Sequence, residues 1–287
     1  MSTILVTGAR GNIGARVVAK LVSSGARVRA LVRNPGAAAF DRSVEVVVAG
    51  YDDAAAVATA MTGVSRALFI TAGPELARHD QTLAIAARAA RVEHIVKVSV
   101  YGARAGGPEI PGWHHDGEQR IAATGIAATF LRPSSFASNA LGWLRTLRAT
   151  GTAFGALGDA ALPVIHPDDI ADVAVHALTT PGAAGTIHEL TGPESLTAAA
   201  QVAILGEVAG AAYTYVNVDD ETAVRGMRDA GMPAVVADAM IHLMQALRGV
   251  GRIAPNETIP RLLGRPARSF RQWAEDNQQT LRAKAAS

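Results

Sequence analysis

The chain contains no cysteine. Disulfides, thiolate nucleophiles and cysteine-ligated zinc are therefore excluded. No apolar run approaches the roughly 18 residues that a membrane-spanning helix requires. Met1, Ser2 and Thr3 lead straight into an apolar strand, without the basic and long apolar regions of a secretory leader. A cytoplasmic protein with no membrane partner is expected. Charge of one sign is also lacking, because the formal net charge is only +2 over 287 residues. The basic excess after position 250 reads as solvated surface, and no nucleic-acid partner is expected. The eight histidines show no H-E-x-x-H or comparable spacing, so no metal is expected. Lysine is scarce, with Lys20, Lys97 and Lys284 the whole complement.

What is present is a folded composition, 49% hydrophobic and 18% charged. Its apolar residues come in a regular alternation. Thr3 to Thr7 is a short apolar run that reads as a buried strand, and Asn12 to Ser23 has helical spacing closed by Gly25. Arg27 to Val32, Val44 to Val48, Arg66 to Ile70, His94 to Ser99 and Ala127 to Leu131 read as further strands. Apolar helical segments separate them, notably Leu76 to Arg91 and the stretch from His114 to Ala123. This pattern predicts an α/β fold: a Rossmann-type, doubly wound parallel sheet, followed by a smaller and mostly helical C-terminal substrate domain. The dinucleotide domain is expected over 1–150, with 167–192 returning to it. The stretches 151–166 and 193–287 are expected to form the substrate-binding part. Within them, Ser138 to Thr150 reads as a helix, Gly151 to Gly158 as a glycine-rich loop, His166 to Thr180 as a helix and Thr186 to Leu190 as a strand. The methionines at 227, 232, 240 and 244 read either as core or as an adaptable apolar substrate wall.

Between the first strand and first helix lies Gly8-Ala9-Arg10-Gly11-Asn12-Ile13-Gly14. Three glycines at this spacing suit a tight turn, a close approach of phosphate to backbone, and close packing of helix on strand. The helix start adds unpaired N–H groups and positive dipole. The second strand ends at Val32 and is followed by Arg33, where an NAD-binding protein usually carries an acid for the ribose 2′-hydroxyl. A guanidinium there would pair with a 2′-phosphate, and Arg10 could add a second contact. The cofactor expected is therefore NADP(H). The plainer alternative is that both arginines are solvated surface groups.

TGARGNIGARV at the start, ALVRNP (Ala30 to Pro35), FLRPSSFASN (Phe130 to Asn139), HPDDIADVA (His166 to Ala174), LTGPESLT (Leu190 to Thr197) and LLGRPARSFRQW (Leu262 to Trp273) together resemble the NmrA-like family of atypical short-chain dehydrogenases/reductases. The resemblance runs in order over nearly the whole chain. It implies NAD(P)H-dependent reduction of quinones or dyes, or nucleotide sensing without turnover. It also implies that Gly8, Arg10, Gly11, Asn12, Ile13 and Gly14 hold the pyrophosphate, and that Gly50, Tyr51 and Asp52 border the adenine. Thr71, Ala72 and Gly73 would line the dinucleotide. Ser99, Val100 and Tyr101, with Pro133, Ser134, Ser135 and Phe136, would flank the nicotinamide.

Ordinary short-chain reductases use a Tyr-x-x-x-Lys pair. Four positions after the tyrosines here stand Ala55, Ala105, Asn217 and Asp219, so the pair is absent. Hydride transfer to a small hydrophobic, electron-poor acceptor such as a quinone or dye needs orientation and a dry pocket more than a strong acid. A regulatory protein that senses NADP(H), and a ketone, imine or enone reductase of a biosynthetic pathway, are the alternatives. His114 is the candidate proton donor. In the isoflavone-reductase-like branch a catalytic lysine occupies a similar place, eleven positions before the glycine that is Gly125 here. Helix capping or ribose positioning is the competing reading of His114. Lys97, two residues before Ser99, reads as structural or peripheral, and Trp113, Phe136 and Trp143 as a candidate aromatic wall. A homodimer is left open.

Overall fold

The computed structural model describes residues 3–282 except 35, 37–39, 181 and 183. Pro35 of the second motif and Lys284 thus lie outside the described residues. The strands are β1 (Thr3–Thr7), β2 (Arg27–Val32), β3 (Glu45–Val48), β4 (Val64–Ile70), β5 (His94–Val98), β6 (Ala127–Pro133), β7 (Thr152–Gly155), β8 (Leu162–Pro163), β9 (Ile187–Leu190), β10 (Ser195–Leu196) and β11 (Thr214–Asn217). The α-helices are α1 (Asn12–Ser23), α2 (Ala54–Met61), α3 (Leu76–Ala89), α4 (Glu109–Ala122), α5 (Leu144–Thr150), α6 (Pro167–Thr179), α7 (Ala198–Ala209), α8 (Asp220–Asp229), α9 (Ala234–Val250), α10 (Thr258–Leu263), α11 (Phe270–Asp276) and α12 (Gln278–Arg282), with a 3-10 helix at Ala137–Trp143.

Seven strands form one parallel sheet in the order β3-β2-β1-β4-β5-β6-β9. The order reverses beside β1, which opens a crevice at the strand C-termini between β1 and β4. Side chains alternate between the two faces. Ile4, Val6, Val28, Ala30, Val96 and Val98 pack under α1 and α6. Leu5, Leu31, Phe69 and Ile95 pack under α2, α3 and α4. Helix α1 buries Ile13, Gly14, Val17, Val18 and Leu21, a stripe at helical spacing, and the chain turns at Gly25 with φ +78°.

A second core joins α5, α7, α11 and α12 through Leu147, Val202, Leu205, Phe270, Trp273 and Leu281. The C-terminal segment is also tied to α6 by charge. The fully buried Asp169 accepts from the side chains of Arg265 and Arg268 and from the Arg268 backbone N–H, and Asp172 pairs with Lys20, Arg265 and Arg268.

Three elements differ from the sequence expectation. The glycine-rich loop at 151–158 contains β7, which pairs in parallel with β11 about sixty residues later. A four-residue strand with so distant a partner has no local periodicity to reveal it. Helix α4 starts at Glu109, five residues before His114; Pro111 falls in its first turn, where no intrahelical N–H is needed. The helix expected at Ser138 to Thr150 is 3-10 over its first half.

Candidate functional site

The glycine turn is built as its spacing requires. Gly8 has φ +57°, and a Cβ on it would lie 3.0 Å from the Cβ of Ile70. On Gly14 a Cβ would lie 2.2 Å from the Gly8 carbonyl oxygen and 2.9 Å from the Ala9 Cα, so α1 touches the turn backbone directly. Gly11 caps α1 without any side-chain bond, and the first turn carries no acid. The helix dipole and its N–H groups are thus offered to an anion without competition. A pyrophosphate fits this cradle, which a Cβ would fill.

Arg33 follows β2 directly, is exposed, and makes no hydrogen bond or ion pair with a described residue. Arg10 is differently placed. Its guanidinium lies 5.4 Å from the Phe40 ring centroid and donates to the Asn34 and Gly36 carbonyls. It ties the glycine turn to the loop after β2, while Arg33 stays exposed with no side-chain partner among the described residues. Asn12 reaches across to the 3-10 helix, its Nδ2 donating to the Ser138 Oγ at 2.6 Å.

Gly50 and Asp53 form the turn into α2, and Asp53 caps that helix through the Ala56 N–H. Tyr51 stands edge-on to His79, and its hydroxyl accepts from the Gly8 N–H at 3.1 Å. Asp52 pairs with Arg78 and lies 3.4 Å from His79. Tyr51 therefore belongs to the turn itself, while Asp52 faces α3.

At the ends of β4, β5 and β6 the structure separates backbone from side chain. Ala72 is exposed and Gly73 has φ +87°, so both stand at the crevice. The Thr71 hydroxyl turns inward: it donates to Asp80 at 2.8 Å and accepts from the Lys97 Nζ at 2.6 Å. Ser99 is also turned inward, donating to Glu118 at 2.5 Å, and Glu118 takes Arg132 through both of its oxygens. Ser134 donates to the Pro163 carbonyl. Val100, Tyr101, Ser135 and Phe136 stay partly exposed beside Pro133; the Tyr101 N–H bonds the Pro133 carbonyl, and Phe136 bridges to Ile165.

His114 lies on α4, partly buried. Its Nδ1 is buried without a hydrogen-bond partner. Burial first, and then the charge of Lys97, push the imidazole well below the ordinary histidine value, so it is neutral at physiological pH. In that neutral form His114 carries one ring N–H that can act as a hydrogen-bond donor. Lys97 is not peripheral, since it is fully buried with its Nζ 3.1 Å from the Asp80 Oδ2. Trp113, Phe136 and Trp143 make no ring contact with one another among the described residues; Trp143 meets Tyr215 edge-on at 6.0 Å. Met227 and Met244 pack beside Ile241 between α8 and α9.

Sequence reasoning missed Asp80, Glu118 and Arg132. One signal was available for Lys97: it shares parity with Ile95 in β5, which places it on the α3 and α4 face. Among the described residues no cluster could hold a metal, and no helix is long and apolar enough to cross a membrane.

A family model described as the NmrA-like family matches residues 1–269. A (4-alkanoyl-5-oxo-2,5-dihydrofuran-3-yl)methyl phosphate reductase from Streptomyces griseus is 36% identical, with 96% of this chain and 97% of the relative aligned. An NAD(P)H azoreductase from Xenophilus azovorans is 33% identical over 95% and 96% of the two chains. The NADPH complex of an NADPH-dependent quinone oxidoreductase from Escherichia coli superposes with a TM-score of 0.83 at 25% identity, covering 95% of this chain and 99% of that one.

Proposed function

This chain belongs to the NmrA-like family, and we propose that it is an NADPH-dependent reductase that delivers hydride to a small, hydrophobic, electron-poor acceptor of the quinone, dye or enone kind. The observation that carries the proposal is the uncapped start of α1 with its close Gly14 contact, together with Arg33 at the end of the neighbouring strand β2, exposed and without a side-chain partner among the described residues. A 2′-phosphate beside Arg33 gains a charge-assisted bond that a plain ribose hydroxyl does not. The relatives named as reductases support the enzymatic reading, and the quinone oxidoreductase in complex with NADPH supports the choice of nucleotide.

Gly8, Gly11, Asn12, Ile13 and Gly14 would hold the pyrophosphate, and Ala72, Gly73, Val100, Tyr101, Ser135 and Phe136 would line the path to the nicotinamide. Thr71, Ser99 and Ser134 act from behind, fixing the strand ends by their inward bonds. When bound, the reduced nicotinamide supplies the hydride. His114 presents a neutral N–H to an acceptor oxygen and stabilises the charge that develops there, in the way a neutral imidazole can polarise a carbonyl. The Tyr-x-x-x-Lys pair is absent from the sequence, which favours acceptors whose reduced form is stable without immediate protonation.

The experiment is the rate of NADPH oxidation by a panel of quinones, azo dyes, enones and simple ketones, in wild type and His114→Gln. Turnover of quinones, dyes or enones with simple ketones inert is expected, and His114→Gln should lower kcat on oxygen acceptors about tenfold to hundredfold. Nucleotide binding with no turnover on any acceptor would refute the reading in favour of a nucleotide sensor.

A further inference from the structure

Beneath α4 lies a buried polar cluster that the proposed reaction does not use. Lys97 and Asp80 are both fully buried, with the Nζ 3.1 Å from Asp80 and 2.6 Å from the Thr71 hydroxyl, which itself bonds Asp80. Lys97 is flanked in register by Phe69 and Phe130, so apolar strand neighbours stand on both sides of it. Burying an ammonium and a carboxylate among such residues is costly unless their geometry is kept. Nothing in the packing of the sheet requires a charge there, since Ile95 fills the equivalent place two residues earlier.

The cluster reaches α4 at one point. Gly117 packs so closely on Asp80 that a Cβ would lie 2.3 Å from its Oδ2. Gly117 is three residues after His114, so both lie on one side of α4. Asp80 therefore sets the depth of the helix turn that carries His114.

We propose that Lys97 is a positioning residue for the reduction site: clamped by Asp80 and Thr71 under α4, it fixes the seat of His114 and the electrostatic field around it. The proposal rests on the reading of His114 as donor to the acceptor. The titratable groups on the elements around His114 are Arg78, His79, Asp80 and Arg88 on α3, His94 and Lys97 on β5, Arg132 on β6, Asp238, His242 and Arg248 on α9, and Glu109, His115, Asp116, Glu118 and Arg120 on α4 itself. Arg132 is neutralised by Glu118, and His242 bonds Glu109 at 2.7 Å. Lys97 is the one whose charge acts on the His114 imidazole, opposing its protonation.

The test is an NMR pH titration of the His114 ring in the full-length protein with NADPH bound, assigned with His114→Gln, beside the pH profile of kcat/KM for quinone reduction. In Lys97→Met/Asp80→Asn, which removes both buried charges together, His114 should protonate closer to the ordinary histidine range. Its kcat/KM should then fall by up to about fourfold between about pH 8 and pH 6, where wild type stays nearly flat. A folded double variant with an unchanged His114 titration and an unchanged profile would overturn the proposal. Should that variant fail to fold, Lys97→Gln, which can still bond Asp80 and Thr71, carries the same two outcomes. The reading of His114 is judged separately, by whether His114→Gln slows turnover with Lys97 intact.

Discussion

Replacing Gly14 by alanine separates what helix propensity wants from what the phosphate cradle needs. In an open helix position the change stabilises by about 1 kcal/mol, because glycine carries excess backbone entropy. At Gly14 the new Cβ would stand 2.2 Å from the Gly8 carbonyl oxygen, 2.8 Å from its carbon and 2.9 Å from the Ala9 Cα, all backbone atoms that cannot rotate away. Helix and turn must part until these distances reach ordinary contact, which overpacking data place at a cost of about 1–3 kcal/mol. The net effect is a loss of about 0–2 kcal/mol of stability. Binding suffers more, because the N–H groups of α1 retreat from the pyrophosphate by a large fraction of an ångström; a loss of about tenfold to hundredfold in NADPH affinity is expected. Gly226, within α8, is the control, since a Cβ there meets nothing within 4 Å. Gly226→Ala should raise the melting temperature by about 2–4 °C and leave NADPH binding unchanged. Thermal melts and fluorescence titrations with NADPH check both. If Gly14→Ala melted higher than wild type and bound NADPH equally well, the account of the cradle would be wrong.

Asp169→Asn weakens the buried anchor of Arg265 and Arg268 and should cost about 2–3 kcal/mol in denaturant unfolding, while spectra of the folded protein stay native; a change within about 0.5 kcal/mol would show that the C-terminal segment is held by its apolar contacts alone. His94, His114, His166 and His188 all have values lowered first by burial. The unfolded chain takes up these protons near its ordinary value of about 6.5, before the native state does, so stability is full above that pH and falls as pH drops toward each folded value. Each group contributes up to about 1.4 kcal/mol per pH unit in that window, and unfolding midpoints measured at pH 7.5 and 5.5 should show the drop, smaller in His94→Gln. A midpoint that does not move between these pH values would contradict the burial of these rings.

Much of the main sheet could be read from the chain because its signals are local. β1, α1 and β2 each coincide with their apolar runs, and the glycine spacing declared the turn between them. The site is legible where backbone makes it, as at Gly8, Gly11 and Gly14. It is not legible where side chains meet across long separations. Nothing in the neighbourhood of Thr71 says that its hydroxyl turns inward to Asp80, or that Glu118 waits behind Ser99, because both facts depend on how α3 and α4 settle on the sheet. The aromatic residues suffered most from this: Trp143 went to Tyr215 in the second core, which only the β7 and β11 pairing brings together. Arg10 was legible as a loop cation but not as a brace to Asn34, since the chain between them doubles back through β2.

The central claim, a cradle made for a nucleotide bearing a 2′-phosphate at Arg33, is tested most directly by calorimetric titration of NADPH and NADH into wild type and Arg33→Asp. A charge-assisted contact of about 1.5–3 kcal/mol predicts that wild type binds NADPH about tenfold to hundredfold more tightly than NADH, and that the substitution removes or reverses this preference. Equal affinities for the two nucleotides, unchanged by Arg33→Asp, would contradict it.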